Sequence, residues 1–444
     1  MKITAILLFL ATPLFAQDSL SLREAARLAL RENKAIAATS AGLRAAETRI
    51  VEARSGTLPK LNYSESYARS DNPVFVFSSL LTQHQFGPGN FNIWPLNRPD
   101  SMNNFQSQLT VDQVLYDAGQ TRNAVKSADL SRQMSGEDKR RTEMQLIAGV
   151  AKAYYGAVLA AESLKTAQQS LKSATADLAR AESVRAAGMS TDVDVLSIRV
   201  HLAAVNEQRI QRGADLDVAR AALNDALGLP LDTSHVLTTS LIALDLPETE
   251  LASLEKDASA TRPEVRQVHL AADLARTQAD MARSALLPQV GFHAAFEADR
   301  QQFINKGGAN WLASIGLHWN LFNGMADKAR IEESSQWLER AHADEERMDS
   351  AVRLEVRRAW ANLRAAQQRI EVAQAAVAEA EESLRITQNR YEAGMSNVTD
   401  LLRNETAVLE SRTRYLAAVN DQRIAATMLD LAAGRLSPDS EVLN

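Results

Sequence analysis

The sequence predicts a duplicated fold of mixed α and β type, in which long antiparallel helical hairpins alternate with four β-strands. The second half of the chain repeats the first at an offset of 206 residues, and no proline interrupts residues 100–229 or 289–437. Because a proline inside a helix costs roughly 3 kcal/mol, such runs in an Ala-, Leu-, Arg- and Glu-rich sequence favour helix. A long internal repeat constrains the predicted architecture more strongly than any single helix or strand does.

The repeat is clearest at two glycine turns. Arg185–Ser190 reads Arg-Ala-Ala-Gly-Met-Ser and aligns with Tyr391–Ser396, which reads Tyr-Glu-Ala-Gly-Met-Ser. Around these turns each copy carries a heptad pattern with mostly large residues at position a and alanine at position d. In the second copy the pattern comprises Leu363, Ile370, Val377, Leu384 and Tyr391 at a, with Ala366, Ala373 and Ala380 at d.

Each copy therefore predicts a pair of very long helices. The stretch from Gly119 to Gly188 gives a rod of roughly 100 Å at ~1.5 Å per residue. On the helices alone, a cytosolic coiled-coil protein is a competing interpretation.

Alternating apolar and polar residues predict four strands, each with one apolar face. They fall at residues 61–68, 105–115, 290–296 and 311–321. Trp311 and Trp319 lie eight residues apart on one strand face, which is roughly 26 Å at strand rise. Aromatic residues that bracket an apolar band of about 25 Å are typical of outer-membrane strands, although a soluble sheet with one buried face has the same alternation.

The remaining segments connect these elements. The capping box Ser21-Leu-Arg-Glu24 predicts a helix that runs to about Arg54, and Pro263 predicts the first turn of a second helix, which ends at Leu287-Pro288. Residues 72–104 are rich in Pro, Gly and Asn and predict a long loop. Residues 248–259 predict a short acidic helix.

Composition excludes several classes of function. The chain has no cysteine, which excludes disulfides, thiol chemistry and lipid acylation on an N-terminal cysteine. The net charge of −6 is spread without a basic block, so nucleic-acid binding has no support. The His residues are scattered and no two are four residues apart, and we expect no metal site and no cofactor.

Residues 1–16 have the pattern of a secretory signal peptide. Lys2 supplies the positive end, Ile3–Leu10 the apolar core, and Leu14–Ala16 a cleavage site. The apolar run is shorter than the ~20 residues that span a bilayer as a helix. We therefore expect an exported mature chain that starts near Gln17 and has no transmembrane helix.

Four strands are too few to close a membrane barrel, because single-chain barrels begin at eight. An open sheet in lipid leaves unpaired edge groups that cost several kcal/mol each. If these strands lie in a membrane, several chains must contribute to one barrel, with the long helices side by side below it. Strands with one lipid face and one polar face then enclose a water-filled lumen, and such an assembly is a conduit.

The chain resembles the TolC family of outer-membrane efflux channels. The motifs that carry the resemblance are Leu20-Ser-Leu-Arg-Glu-Ala-Ala-Arg-Leu-Ala-Leu30, Leu115-Tyr-Asp-Ala-Gly119, Leu321-Phe-Asn-Gly324 and the two Gly-Met-Ser turns. The resemblance covers essentially the whole mature chain. It implies a homotrimer with a 12-stranded barrel in the lipid of the outer membrane, a periplasmic tube of twelve helices, a periplasmic adaptor protein and an inner-membrane pump that supplies the energy.

The domain boundaries follow from the repeat and the resemblance. We expect a signal peptide at 1–16, a first repeat at 17–229, an equatorial linker at 230–261, a second repeat at 262–434 and a C-terminal tail at 435–444. Each repeat comprises a helix, two strands and a long helical hairpin.

The two glycine turns would form the periplasmic tips. The resemblance implies that the adaptor contacts Gly188, Met189, Ser190, Gly394, Met395 and Ser396. Glycine also has a structural explanation there, because the residue after a helix C-terminus commonly has φ > 0.

Carboxylates beside the turns would line and lock the entrance. Asp400 resembles the acidic ring residue of the family, and Asp194 resembles a carboxylate that ties neighbouring coils together through a tyrosine at the position of Tyr391. Both Asp residues also fit helix capping, after Thr191 and Asn397. Two positions depart from the family: Ser396 stands where the lock has an arginine, and Arg403 stands at the second acidic ring position. These departures imply a weaker lock and a less cation-selective entrance.

The leading functional hypothesis is the outer-membrane channel of a tripartite efflux system, and the alternative is the outer-membrane component of type I protein secretion. An adhesin or coiled-coil spacer is a further class, which the tryptophan-bracketed strand disfavours. No nucleophile–base pair, phosphate loop or metal-ligand spacing supports an enzyme.

Overall fold

The structure is a computed structural model that describes residues 19–188, 190–245, 250–304 and 307–444. The predicted signal peptide and Met189 lie outside the described residues. The chain divides into two compact units. The first unit contains the residues up to Ala41, Glu137–Gln267 and Glu346–Asn444, and the second contains Gly42–Gly136 and Val268–Glu345.

The two halves of the chain share a core order of two helices, two strands and two long helices, and the first half has additional short elements. In chain order they are β1 (Ser19–Leu20), α1 (Leu22–Glu32), α2 (Lys34–Arg54), β2 (Lys60–Ser70), α3 (Pro73–Thr82), α4 (Ile93–Asn97), β3 (Met102–Tyr116), α5 (Gln120–Ala186), α6 (Asp192–Leu227), β4 (Val236–Leu237), α7 (Leu251–Thr261), α8 (Pro263–Ser284), β5 (Gln289–Arg300), β6 (Gly307–His318), α9 (Ala326–Glu392) and α10 (Val398–Ala432).

The two long hairpins predicted from the repeat are present. Helices α5 and α9 each have 67 residues, and α6 and α10 have 36 and 35. Within the described residues, α5 is the one helix that contains a window long and apolar enough to cross a membrane, and 56% of that window is buried inside the chain. Burial of this kind is typical of a core helix, because its apolar side chains are covered by other helices.

The core of the first unit surrounds Tyr154 of α5. Apolar side chains from α1, α5, α6, α9 and α10 form this core, and they include Leu22, Ala29, Val150, Leu227, Val356 and Leu429. The buried Tyr154 hydroxyl donates a 2.7 Å hydrogen bond to the carbonyl of Leu20 and accepts one of 2.9 Å from the amide of Thr239. This hydroxyl therefore ties α5 to the parallel pair formed by β1 and β4.

The second unit contains an antiparallel sheet with strand order β2-β3-β5-β6. Its register places alternate rows of side chains on opposite faces. One row contains Tyr63, Leu109, Phe296 and Trp311, and the next contains Ser64, Gln108, Glu297 and Asn310. We call these the apolar face and the polar face.

The apolar face also carries polar residues, and three of them form a hydrogen-bonded group. Glu65 and Ser107 are paired across β2 and β3 on this face, and the Arg300 guanidinium donates a hydrogen bond to each of them, with a distance of 2.8 Å to Glu65 Oε1. These hydrogen bonds limit the cost of placing the three groups among apolar neighbours.

Two expectations from the sequence are wrong in detail. The helix predicted from Ser21 to Arg54 has its capping box, but it is broken at Asn33, whose backbone is extended. The break packs closely against Gly228: a Cβ at Gly228 would lie 2.8 Å from the Asn33 Cα. The Asn33 side chain fixes the break by donating to the carbonyl of Ala226 at 2.9 Å.

The segment 72–104 is not an irregular loop, because it contains α3 and α4. The Asn72 side chain caps α3 by accepting from the amides of Val74 and Phe75, and Pro73 occupies the first turn. Nine further residues without Gly or Pro follow Pro73, and they continue the helix.

We expect Tyr154→Phe to lower the free energy of unfolding by about 1–3 kcal/mol, because it leaves a buried carbonyl and a buried amide without their partner. The measurement is the thermal unfolding midpoint of the purified protein. Tyr116→Phe is the control, since that side chain is exposed. An equal midpoint in both variants would contradict the role given to the Tyr154 hydroxyl.

Candidate functional site

The first turn joins α5 to α6 through Gly188, whose φ of +76° favours glycine. Thr191 is the N-cap of α6 and forms a full capping box with Asp194. One carboxylate oxygen of Asp194 accepts from the Thr191 hydroxyl at 2.8 Å, from its amide at 3.1 Å and from the Ser190 hydroxyl at 3.1 Å. These hydrogen bonds, those of Thr191 first, hold the pKa of Asp194 below its usual value.

The second turn repeats this geometry, but its carboxylate accepts fewer hydrogen bonds than that of Asp194. Gly394 has φ +72°, and the Asn397 side chain accepts from the Asp400 amide at 2.8 Å. The Asp400 carboxylate accepts from the Ser396 hydroxyl at 3.5 Å, which is a weak interaction at that distance. Arg403, one turn further along α10, is exposed.

Apolar packing joins the two turns. Tyr391 of α9 packs with a small cluster from α5, α6 and α10 that contains Leu178, Ala181, Val195, Ile198, Val398 and Leu402. Burial raises the pKa of Tyr391, and the charge of Asp194 adds to the rise. No hydrogen bond joins the Tyr391 hydroxyl to Asp194 in the described part of the chain, because Ser190 and Thr191 donate to Asp194 instead.

Ion pairs add to this packing. The Arg180 guanidinium of α5 lies 2.7 Å from a carboxylate oxygen of Glu392 on α9, and Arg199 of α6 lies 2.6 Å from Glu182 of α5. Both pairs are about half exposed, and such pairs contribute only about 0–1 kcal/mol each. The apolar cluster therefore contributes most of the stabilisation between the two turns.

Further from the turns, three titratable side chains from three helices form a buried cluster. Asp177 lies on α5, His201 on α6 and Glu405 on α10, and the side chains of Asp177 and Glu405 are both 8% exposed. His201 Nε2 lies 3.2 Å from Glu405 Oε2. Neither oxygen of Glu405 receives a hydrogen bond of good geometry. We call this group the Asp–His–Glu cluster.

The two carboxylates of the cluster titrate differently. Burial and the adjacent Glu405 raise the pKa of Asp177 to about 7, while Arg180 and His201 oppose the rise. Burial alone would raise the pKa of Glu405, but the adjacent His201 and Asp177 outweigh it and hold that pKa below its usual value. At neutral pH, Glu405 is therefore charged and Asp177 is about half protonated.

A cavity of 310 Å³ opens beside the cluster. His201 and Glu405 line it together with the charged residues Glu381, Arg385 and Arg412. None of the acidic and histidine clusters among the described residues, this one included, has the arrangement of a metal site.

The model of the family "Outer membrane efflux protein" matches residues 25–229 and 254–435. The chain belongs to that family. The two matched ranges contain the two hairpins and leave out part of the linker between the repeats. Membership in the outer membrane efflux protein family confirms the resemblance drawn from the sequence, and it places the chain in the outer membrane, with a large periplasmic part.

Several curated relatives are named for efflux or secretion. Protein CyaE of Bordetella pertussis is 26% identical over 76% of this chain and 72% of its own length. The outer membrane efflux protein BepC of Brucella suis is 24% identical over 98% of this chain and 91% of its own length. The alkaline protease secretion protein AprF of Pseudomonas aeruginosa is 24% identical over 86% of this chain and 78% of its own length.

Solved structures share the fold. CusC superposes with a TM-score of 0.79 at 18% identity, covering 94% of this chain and 92% of that chain. The outer-membrane channel OprN gives 0.77 at 19% identity, with coverage of 93% and 89%. VceC of Vibrio cholerae gives 0.75 at 17% identity, with coverage of 93% and 96%. At these identities the likeness establishes the fold alone.

The turn residues were predicted from the sequence, but the Asp–His–Glu cluster was not. Heptad positions describe packing within one hairpin, whereas this cluster lies where the first hairpin meets α10 of the second. A signal was available in the repeat. At the offset of 206 residues, Asp177 aligns with a serine, His201 with an alanine and Glu405 with Arg199, so the cluster occupies positions at which the two copies differ.

We expect the Asp–His–Glu cluster to make stability depend on pH. The pKa of Asp177 is raised from 3.8 to about 7, so the protonated group stabilises the fold fully below its ordinary pKa, and this contribution is lost as the pH rises through 7. At about 1.4 kcal/mol per unit of pKa shift, the loss is on the order of a few kcal/mol. Asp177→Asn, which retains a donor towards Glu405, should lose this dependence.

The measurement is the thermal unfolding midpoint of Asp177→Asn and of the unaltered protein at pH 5.5 and 8.5. The variant should gain several degrees relative to the unaltered protein at the higher pH. Glu182→Gln is the matched control, because its carboxylate lies on the same helix but is 43% exposed. Parallel midpoints for Asp177→Asn and the unaltered protein would refute the assignment.

Proposed function

We propose that the chain is one subunit of a homotrimeric outer-membrane channel that passively conducts substrates handed over by a periplasmic adaptor protein and an inner-membrane pump. The observation that carries this proposal is the four-stranded sheet with one apolar face, one polar face and two free edges. Strands β2 and β6 each have one neighbour among the described strands. Three copies of the sheet contribute twelve strands, and edge-to-edge pairing closes them into a barrel.

The two faces support an orientation in that barrel. The apolar face carries Trp311 in β6 and Trp319 one residue beyond its end, and both are more than half exposed in the single chain. We assign this face to the outer-membrane lipid, with the two tryptophans at the membrane interfaces. The polar face then lines a water-filled lumen.

The helical part supports the same assembly. Four long helices per copy give twelve in the trimer, and we propose that they form the periplasmic tube. The two glycine turns are its tips and meet the adaptor through residues 188–190 and 394–396. Residues 230–261 form an equatorial collar between the repeats 17–229 and 262–434. The entrance is lined by Asp194, Tyr391, Asp400 and Arg403.

Two kinds of cargo are compatible with this channel. Relatives named for pyoverdine export and for fusaric acid resistance support efflux of small molecules, which is the function we favour. Relatives named for secretion of proteases support type I protein secretion as the second candidate. The inner-membrane partner distinguishes the two, so affinity capture of the adaptor and pump from the native envelope is the deciding experiment.

The trimer is tested directly by the mass and shape of the detergent-extracted protein. Native mass determination should give three chains, and particle imaging should show a tube at least as long as the ~100 Å that a 67-residue helix spans. A soluble monomer or a dimeric rod that needs no detergent would remove the channel hypothesis.

The entrance is tested by the Tyr391 hydroxyl. If that hydroxyl joins the coils in the closed channel, Tyr391→Phe removes about 1 kcal/mol and raises the ratio of open to closed channels roughly fivefold. The measurement is resting conductance in a planar bilayer. Tyr415→Phe, a partly buried tyrosine of α10, is the control. Unchanged conductance in Tyr391→Phe would remove the tyrosine lock.

A further inference from the structure

The segment between β2 and β3 lies over the polar face of the sheet. The Asn310 side chain of β6 donates a 3.1 Å hydrogen bond to the carbonyl of Thr82 at the end of α3. The Gln83 side chain donates to the Asn104 side chain of β3 at 2.9 Å. The register places both residues on the polar face: Asn104 alternates in phase with Gln108 of β3, and Asn310 is paired with Glu297.

Gly308 provides a third, independent observation of the same placement. It is paired with Asp299, on the polar face of β6. A Cβ at this position would collide with the carbonyl oxygen of Thr82 and with the His84 ring. The end of α3 therefore lies directly on the polar side of β6, and only a residue without a side chain permits so close an approach.

One side of α3 is buried and the opposite side is not. Val76, Ser79 and Gln83 are at most 7% exposed, and they follow one another at helical spacing. The opposite side carries Val74, Phe77 and Leu81, which are 77%, 38% and 47% exposed. We call these three residues the α3 stripe.

The environment of the α3 stripe limits what can cover it. Lipid contacts the apolar face of the sheet, whereas the stripe belongs to a helix on the other side. Leaving the stripe in contact with water costs roughly 25 cal/mol for each Å² of apolar surface that stays exposed. Residues 73–97 contain no Asp, Glu, Lys or Arg, so identical copies of this segment approach one another without charge repulsion. A second copy of the same stripe is therefore the occupant that fits.

We propose that α3 forms a constriction at the outer mouth of the channel, where the α3 stripes of three copies pack against one another across the lumen. This inference rests on the proposed trimer, because only a closed barrel directs three polar faces towards one axis. The segment joins strand ends at the opposite end of the sheet from the start of α5, which is the external end if the helices are periplasmic. The contact restricts the size of what passes and leaves the tips free to control the other end.

The chain contains no cysteine, so single cysteines report on this contact without background. We design Phe77→Cys and Leu81→Cys in the stripe, with Ile304→Cys as the matched control. Ile304 is apolar and 93% exposed, and it follows β5 on the loop to β6. The reagent is a short bismaleimide applied to the detergent-extracted trimer. Covalent dimers of the two stripe variants, and none of the control, are the expected result.

Absence of cross-linking in both stripe variants, in samples whose native mass is that of a trimer, would overturn the constriction and leave the proposed channel intact. A native mass that is not trimeric would overturn both. Measuring cross-linking and native mass on the same sample therefore distinguishes failure of the constriction from failure of the proposed trimer.

A second measurement tests the consequence for conduction. Val74→Ser, Phe77→Ser and Leu81→Ser are combined in one variant, with Ile304→Ser as the control, and both are reconstituted in planar bilayers. We expect at least a twofold gain in single-channel conductance and passage of larger polyethylene glycols for the triple variant alone. Conductance equal to that of the control, in a trimer that still conducts, would show that the stripe does not restrict the mouth.

Discussion

A β-strand edge in a bilayer has no water with which to pair its amide and carbonyl groups, and this constraint governs the sheet of this protein. The sheet has four strands, two free edges and one face made of apolar side chains. In hydrocarbon, each unpaired group on a free edge costs several kcal/mol. A single chain cannot avoid this cost. In the trimer that we propose, pairing with further copies removes these free edges, and the polar faces then enclose an aqueous lumen.

Much of this architecture could be predicted from the sequence because no distant contact opposed the local conformational preferences. Gly188 and Gly394 end their helices with positive φ, as glycine after a helix C-terminus predicts. Thr191 and Asn397 cap the next helices as their side chains predict. Strand alternation located the four strands to within a few residues. Where neighbouring residues determine the backbone conformation, the sequence alone was sufficient to predict it.

The errors had three different origins. The first helix is interrupted at Asn33, where Gly228 lies against its backbone, and the sequence of α1 and α2 does not predict that contact. The segment 72–104 has the composition of a loop, yet the capped ten-residue helix α3 forms within it. The Asp–His–Glu cluster depends on three helices that meet only after folding. In the candidate site, the turns were therefore predictable and the Asp–His–Glu cluster was not.

The Tyr154 hydroxyl also has a consequence for the order of folding. It bonds Leu20 and Thr239, and the Leu22 amide donates to the Thr239 hydroxyl at 3.0 Å. Arg27 pairs with Asp439, so α1 depends on contacts from both the middle and the last part of the chain. Contacts of such long sequence separation form slowly. A chain that enters the periplasm from its N-terminus cannot complete its first unit until synthesis and export are almost finished, and in that interval its apolar strands are exposed to aggregation.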